Sequence, residues 1–170
     1  MVKTNVMRVL DKEKIAYEPF SYSPELTEGV KIAEVLGEDP ACVFKTLVTE
    51  SGDREHFVFV IPVAETLDLK AAARAVGAKS VSMLKQKELL PLTGYIHGGC
   101  SPVGMKKKFK TVIDESAEGR EFFYVSAGKV GFQVKVSPER LAKFIGADFA
   151  DLTVKKKFTI LSLKNLNLYV

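Results

Sequence analysis

The chain has 170 residues and a mass of 18.7 kDa, enough for one domain with a real core and too little for two ordinary ones. With 46% apolar and 27% charged residues it is neither disordered nor membranous, and no apolar run reaches the roughly 18 to 20 residues that a spanning helix needs. The net charge of +4 is unevenly spread: residues 1–69 carry −6, residues 70–110 carry +8, residues 111–154 carry −2, and residues 155–170 hold four lysines and no acid. The first 154 residues therefore sum to zero, which excludes a generally basic protein. What remains is a neutral domain with one basic segment and a basic tail.

Val6, Met7, Val9 and Leu10 stand at helical spacing behind a capping Thr4, so residues 4–14 predict a short amphipathic helix. Residues 15–22 read as extended and end at Ser23-Pro24. A second helix follows around Val30–Leu36, stopped by Gly37. ACVFKTLVTE and HFVFVIPV, joined by SGDRE, predict a hairpin. DLKAAARAV reads as a helix between Asp68 and Gly77, KSVSM as a short strand, and KQKELL as one or two helical turns closed by Pro91. TGYI predicts a short strand running into a Gly/Pro-rich loop. KTVID, EFFYVSAG and GFQVKV are strand candidates, and SPERLAKFIG is a helix with Ser137 as cap, Pro138 in its first turn and Gly146 as stop. Irregular alternation of strands and short helices with several hairpins predicts an α+β single domain over residues 1–154, built on a mixed sheet. Residues 155–170, a basic and apolar tail, have no assigned role; an added edge strand, an interface segment and a foreign extension all fit.

The N-terminus MVKTNVMRVLDKEK has charges where a secretory signal needs an apolar stretch, so a cytoplasmic protein is expected. Two cysteines, Cys42 and Cys100, make no disulfide framework and no zinc site; no cofactor, metal or membrane contact is expected. The strongest local feature is Gly98-Gly99-Cys100-Ser101-Pro102-Val103-Gly104. Such a backbone lets a ligand approach main-chain N–H groups, which suit a carboxylate, a phosphate or a developing oxyanion. A tight structural connection is the plain alternative. Its spacing matches neither a P-loop nor a dinucleotide fingerprint.

Lys45 lies inside the apolar run CVFKTLV, where an ammonium is costly unless it is paired or lines a cavity. An edge-strand gatekeeper is the competing reading. Thr46 points to the other face by strand alternation and is unremarkable taken alone. Cys100 beside the glycines invites a nucleophile reading, with His56 or His97 as base, but nothing in the sequence shows that arrangement, and a small packed cysteine explains it as well. Asp114 and Glu115 are adjacent, which argues against an acid/base pair. Lys106, Lys107, Lys108 and Lys110 follow the glycine loop directly, so the +8 segment adjoins the best pocket candidate and suits a nucleic-acid backbone; a solvated face is the plain reading. Only Tyr95 and Phe109 lie in the loop-and-lysine stretch, which offers no base-stacking platform.

Five blocks in order, VFKTLV (43–48), PVAETLDLKAAARAVGAKSV (62–81), TGYIHGGCSPVGMKK (93–107), TVID (111–114) and YVSAGKVGFQV (124–134), resemble the YbaK family of aminoacyl-tRNA deacylases over roughly residues 3–153. The resemblance implies a single α+β domain with a mixed, mostly antiparallel, partly closed sheet and surrounding short helices, homologous to the editing domain of bacterial prolyl-tRNA synthetase. It implies removal of cysteine from tRNA(Pro), with the substrate's own thiol attacking the ester carbonyl. Lys45 falls on the family's key lysine. The glycine loop falls on Gly98, Gly99, Ser101, Pro102 and Gly104, and the pocket positions on Tyr22, Thr46 and Ser126. Gln133 stands where well-known members carry Asp, and Glu28 near where a pocket Phe is expected.

On this reading Lys45, Gly98 and Gly99 are the catalytic groups. Tyr22, Thr46, Ser101, Pro102, Gly104, Ser126 and Gln133 bind substrate, and Lys106, Lys107 and Lys108 meet the tRNA backbone. The implied partners are the tRNA(Pro) acceptor end and a transient complex with prolyl-tRNA synthetase. Two alternatives stay open within this resemblance, a deacylase for alanine or another small amino acid on tRNA, and a non-catalytic module that binds tRNA or a synthetase. The same loop and lysines would also fit a nucleotide-binding protein.

Overall fold

The computed structural model describes residues 2–155 and shows an α+β domain of two sheets with five helices of eight residues each. The helices are α1 (Asn5–Lys12), α2 (Gly29–Leu36), α3 (Leu69–Val76), α4 (Gln86–Thr93) and α5 (Pro138–Ile145). At this length none is stable alone, so capping and one buried face hold each in place. Thr4 Oγ1 accepts from the Met7 N–H, Asp68 Oδ1 from Lys70 and Ala71, and Ser137 Oγ from Arg140. Each such cap contributes about 1 kcal/mol. Gly37, Gly77 and Gly146 close their helices in the left-handed conformation, as their positions predict.

The five-stranded sheet runs β4 (Val81–Met83), β2 (Phe44–Ser51), β3 (His56–Pro62), β5 (Lys110–Asp114), β8 (Asp148–Ala150). The three-stranded sheet runs β1 (Tyr17–Ser21), β7 (Phe132–Val136), β6 (Phe123–Ser126). β1–β7, β6–β7, β2–β3 and β2–β4 are antiparallel, while β3–β5 and β5–β8 are parallel. The expected partly closed sheet is thus two sheets meeting at one parallel bridge, Val43 to Tyr124.

β3 sits at the centre, which explains its unbroken apolar run. Val58 and Val60 enter the main core, while Phe57, Phe59 and Ile61 face α3 on the other side. The main core lies between the sheets. It joins Phe44, Val48 and Ile113 to Phe123, Val125, Val134 and Val136, with α1 and α5 adding Val6, Met7, Leu10 and Leu141. Phe44 and Phe123 meet edge to face at 5.1 Å, and truncating either to alanine would cost about 3 to 5 kcal/mol.

Three elements differ from the sequence reading. α4 runs through Pro91 to Thr93 and ends at Gly94, because the proline lies in the last turn and costs it a single N–H bond. TGYI is not a strand: Tyr95 is buried from an irregular segment, its hydroxyl donating to the Val103 carbonyl. β8 is an additional strand. The expectations for the tail fall on residues outside those described, apart from Lys155, which pairs with Asp151 at 2.8 Å. No helix among the described residues is long and apolar enough to cross a membrane.

Candidate active site

β2 pairs with β3 along Phe44–Glu50, but with β4 only at Thr49–Ser51. The other edge of Phe44–Leu47 is therefore uncovered by β4, just where the two sheets diverge from the Val43–Tyr124 bridge. A cavity of about 330 Å³ fills that gap. β2 supplies Lys45, Thr46 and Leu47, and the three-stranded sheet supplies Ser126 and Gln133. Ile32 of α2, Leu89 of α4 and Val63 close the apolar sides, and His97, Gly98 and Cys100 come from the glycine loop. Lys45 and Thr46, adjacent residues expected on opposite faces, both line the cavity because it wraps the uncovered edge of the strand.

Lys45 is half-buried and has no acidic partner within 4.0 Å among the described residues. Burial lowers its pKa below the ordinary 10.5, and the Glu65 carboxylate works in the opposite direction. Thr46 Oγ1 and Gln133 Oε1 are buried with no hydrogen-bond partner. Ser126 Oγ accepts the Gly128 N–H at 3.1 Å. Tyr22 stands behind Gln133, whose Nε2 donates to its hydroxyl at 3.3 Å.

The glycine loop divides by role. Gly98 lines the cavity with φ +88°, while Gly99 packs so closely on the 129–130 backbone that a Cβ there would lie 3.0 Å from Val130 N. The Gly99 N–H donates to the Ile96 carbonyl at 3.0 Å, and so is already engaged. Ser101 is buried and its Oγ accepts the Val103 N–H. Pro102 is buried and Gly104 abuts the Tyr95 hydroxyl, so neither lies on the cavity wall. Glu28 is exposed and pairs with Lys31; Leu26 and Thr27 line the cavity instead.

Burial raises the Cys100 thiol from 9.0 to about 12, which leaves almost no thiolate at neutral pH. Cys42 lies away from this cavity, its Sγ accepting from Arg120 Nη1 at 3.3 Å. Asp114 caps the turn that follows β5: its carboxylate accepts from Ser116 and Leu152 N–H groups.

The cations of the basic segment are unpaired among the described residues. Every cation between Lys70 and Lys110 is exposed, and none has an acidic partner within 4.0 Å among the described residues. Lys85 and Lys87 stand at the start of α4, and Lys106, Lys107 and Lys108 follow the glycine loop. A larger, open hollow of about 790 Å³ lies elsewhere, lined by Asp39, Glu65, Asp114, Glu115, Glu118 and Lys155 among others. Five carboxylates against one lysine make it repellent to a phosphate backbone. The smaller cavity carries no carboxylate on its wall.

A small cavity with one half-buried cation and no carboxylate on its wall defines a class as well as a site. The model of the aminoacyl-tRNA editing domain matches residues 24–144, and the chain belongs to that family. Among individual relatives, it is 42% identical over 156 residues to a protein of Enterococcus faecalis provisionally named Cys-tRNA(Pro)/Cys-tRNA(Cys) deacylase EbsC, covering 91% of this chain and 95% of that one. It is 25% identical over 118 residues to the proline–tRNA ligase of Nautilia profundicola, covering 67% of this chain and 20% of the ligase. The fold matches a crystal structure described as a trans-editing enzyme for prolyl-tRNA synthetase, with TM-score 0.79, 23% identity and coverage of 91% and 100%. A crystallised hypothetical protein matches at TM-score 0.82 and 23% identity, with coverage of 89% and 100%.

Proposed function

We propose that this protein deacylates Cys-tRNA(Pro) in trans, and that the observation carrying this is a cavity equipped to position an ester, whose one thiol is held protonated and whose wall carries no carboxylate. Cys100 is protonated, and no Asp or Glu lines the wall to activate water. No cluster of three potential metal-ligating side chains occurs among the described residues. The reaction that needs least from such a wall is attack by the substrate's own thiolate on its ester carbonyl. A carbon–sulfur bond forms, the bond to the ribose oxygen breaks, that oxygen takes a proton from solvent, and a cyclic thioester leaves beside free tRNA. Intramolecular attack depends on holding sulfur and carbonyl carbon together and on stabilising the oxyanion.

In this reading Lys45 meets the ester or terminal phosphate oxygen. The main-chain N–H groups of Gly98 and Cys100, rather than that of Gly99, face the developing oxyanion. Thr46, Ser126 and Gln133 bound the amino acid, and Tyr22 positions Gln133. Gly99, Ser101, Pro102 and Gly104 hold the loop in shape. Lys106, Lys107 and Lys108 contact the acceptor-stem backbone. The relative named for Cys-tRNA(Pro) and the ligase that shares this domain support cysteine on tRNA(Pro) as substrate, with a cytoplasmic setting and a transient complex with prolyl-tRNA synthetase as its context.

The test is incubation with Cys-, Ala- and Pro-tRNA(Pro), wild type beside Lys45→Ala. Selective loss of the cysteine ester, abolished by the substitution, is expected. Equal turnover of the alanine ester would refute thiol assistance, and no turnover of any ester would refute the enzyme.

A further inference from the structure

Thr46 Oγ1 and Gln133 Oε1 are buried oxygens without a hydrogen-bond partner, and both belong to residues lining the 330 Å³ cavity, from different sheets. Gln133 is held by its other end: Nε2 donates to Tyr22 Oη at 3.3 Å, and Oε1 is left without a donor. Buried polar atoms are matched in nearly every case. Two unmatched oxygens on residues of one cavity, an amide carbonyl and a hydroxyl able to accept as well as donate, therefore point to polar hydrogens that arrive with a ligand.

The charges around the cavity narrow the choice of hydrogens. The titratable groups facing it are Lys45, His97 and the Cys100 thiol, with Tyr22 behind Gln133 and Glu65, which lines the acidic hollow, acting on Lys45. An aminoacyl ester brings one group rich in N–H hydrogens, its α-amine, which exchanges between ammonium and free amine near neutral pH. An ammonium would enter beside the Lys45 cation with no carboxylate on the wall to balance either charge. Like charges in one small cavity disfavour each other's ionised forms. A free amine brings two hydrogens for two acceptors and no charge.

Resting on the deacylase reading above, we propose that the cavity takes the aminoacyl ester with its α-amine uncharged, Gln133 Oε1 and Thr46 Oγ1 accepting the two amine hydrogens. The ammonium's proton stays with solvent on entry. A neutral side chain at 133 thereby selects the protonation state of the substrate, and a carboxylate in its place would admit the ammonium.

Binding is the cleanest readout, because thiol ionisation also makes turnover rise with pH. The probe is 3′-seryl-amido-3′-deoxyadenosine, which is uncleavable and has no thiol, titrated calorimetrically from about pH 5.5 to 8.5. Its control carries 3-hydroxypropionyl in place of seryl and so has no amine. In wild type the seryl probe should bind close to tenfold more tightly per pH unit until its amine is neutral, and then level off. The control should lack that rise, which removes any contribution from Lys45 or His97. In Gln133→Asp the rise should shrink below about threefold over the range, with control binding showing that the variant is folded.

Wild-type affinity for the seryl probe that is flat or falls with pH, or a rise shared by the control, would overturn the inference. If Cys-tRNA(Pro) is still cleaved by wild type and spared by Lys45→Ala, the deacylase reading survives that result. If neither probe binds and no ester is cleaved, both fail.

Discussion

Lys45→Met removes a charge from the cavity wall while keeping an unbranched stem. Two opposite effects follow. The Lys45 ammonium is half-buried without an acidic partner within 4.0 Å among the described residues, and burial lowers its pKa from 10.5, so its charged form works against folding. Removing it should leave stability unchanged or raise it by up to about 1 kcal/mol, a rise in Tm of no more than about 4 °C for a chain of this size. The sign with pH follows from the lowered pKa. Between the folded and unfolded values the unfolded chain holds more protons at this site, so stability rises with pH there. The wild-type deficit against Lys45→Met is full at neutral pH and shrinks as pH climbs toward 10.5. Activity should move the other way. A lost charge-assisted hydrogen bond to a substrate oxygen is worth about 1.5 to 3 kcal/mol, or roughly 10- to 150-fold in rate. We expect kcat/KM for Cys-tRNA(Pro) to fall about 100-fold, measured as release of labelled cysteine at limiting substrate beside thermal melts of both proteins. A Tm drop beyond about 5 °C would mean that the lysine is structural, and kcat/KM within about threefold of wild type would remove it from the reaction.

Replacing Lys106, Lys107 and Lys108 with glutamine should raise KM and make its salt dependence shallower by roughly 0.7 to 0.9 for each phosphate that is no longer neutralised; an unchanged slope would take them off the RNA. Gly128→Ala should lower Tm by about 5 to 15 °C. The position has φ +87°, and a Cβ would lie 2.9 Å from both Tyr95 and Val6, so strain and overpacking combine to about 2 to 4 kcal/mol; a loss under about 2 °C would contradict this. Burial raises Tyr95 from 10.0 and Cys100 from 9.0 to about 12 each. Their contribution to stability is therefore full below about pH 9 and is lost as pH rises toward 12, visible as a falling urea midpoint. At about pH 8 iodoacetamide should label Cys42 and spare Cys100 in the folded protein; rapid labelling of Cys100 would refute its burial.

Local chemistry made much of the fold legible. Thr4, Asp68 and Ser137 cap the helices they precede, and Gly37, Gly77 and Gly146 stop the helices they follow, because capping needs only neighbours in the chain. β8 was illegible: Asp148-Phe149-Ala150 is three residues long and becomes a strand only by pairing with β5, some 36 positions earlier at Val112↔Asp148. Pro91 and TGYI misled for a similar reason. A proline in a last helical turn costs little, and Tyr95 found its burial through a hydroxyl contact that has no sequence period.

At the site, Lys45 was conspicuous as a charge in an apolar run, and the glycine loop by composition. Thr46 was not conspicuous, since strand alternation sends it away from Lys45 and only the uncovered edge of β2 brings both to the cavity. Leu26, Thr27 and Val130 carry no local signal at all; they line the cavity because of where distant segments cross. The loop glycines look alike in sequence, yet Gly98 faces the cavity while Gly99 is pressed against the 129–130 backbone.

The seam at Val43 and Tyr124 gives the cavity an unusual kind of control. Its opposing contributions, Lys45 and Thr46 on one sheet and Ser126 and Gln133 on the other, are spaced by a join that is not itself made of catalytic groups. The Tyr124 ring packs on Phe20 at 5.4 Å, and its hydroxyl donates to Glu38 Oε1 at 2.8 Å, tying β6 to the segment after α2. That tie lies off the cavity wall, at the join between the two sheets whose spacing sets the cavity's width. A descendant of this protein could trade one small amino acid for another while every residue touching the substrate stays the same, and an inventory of its active site would register no difference.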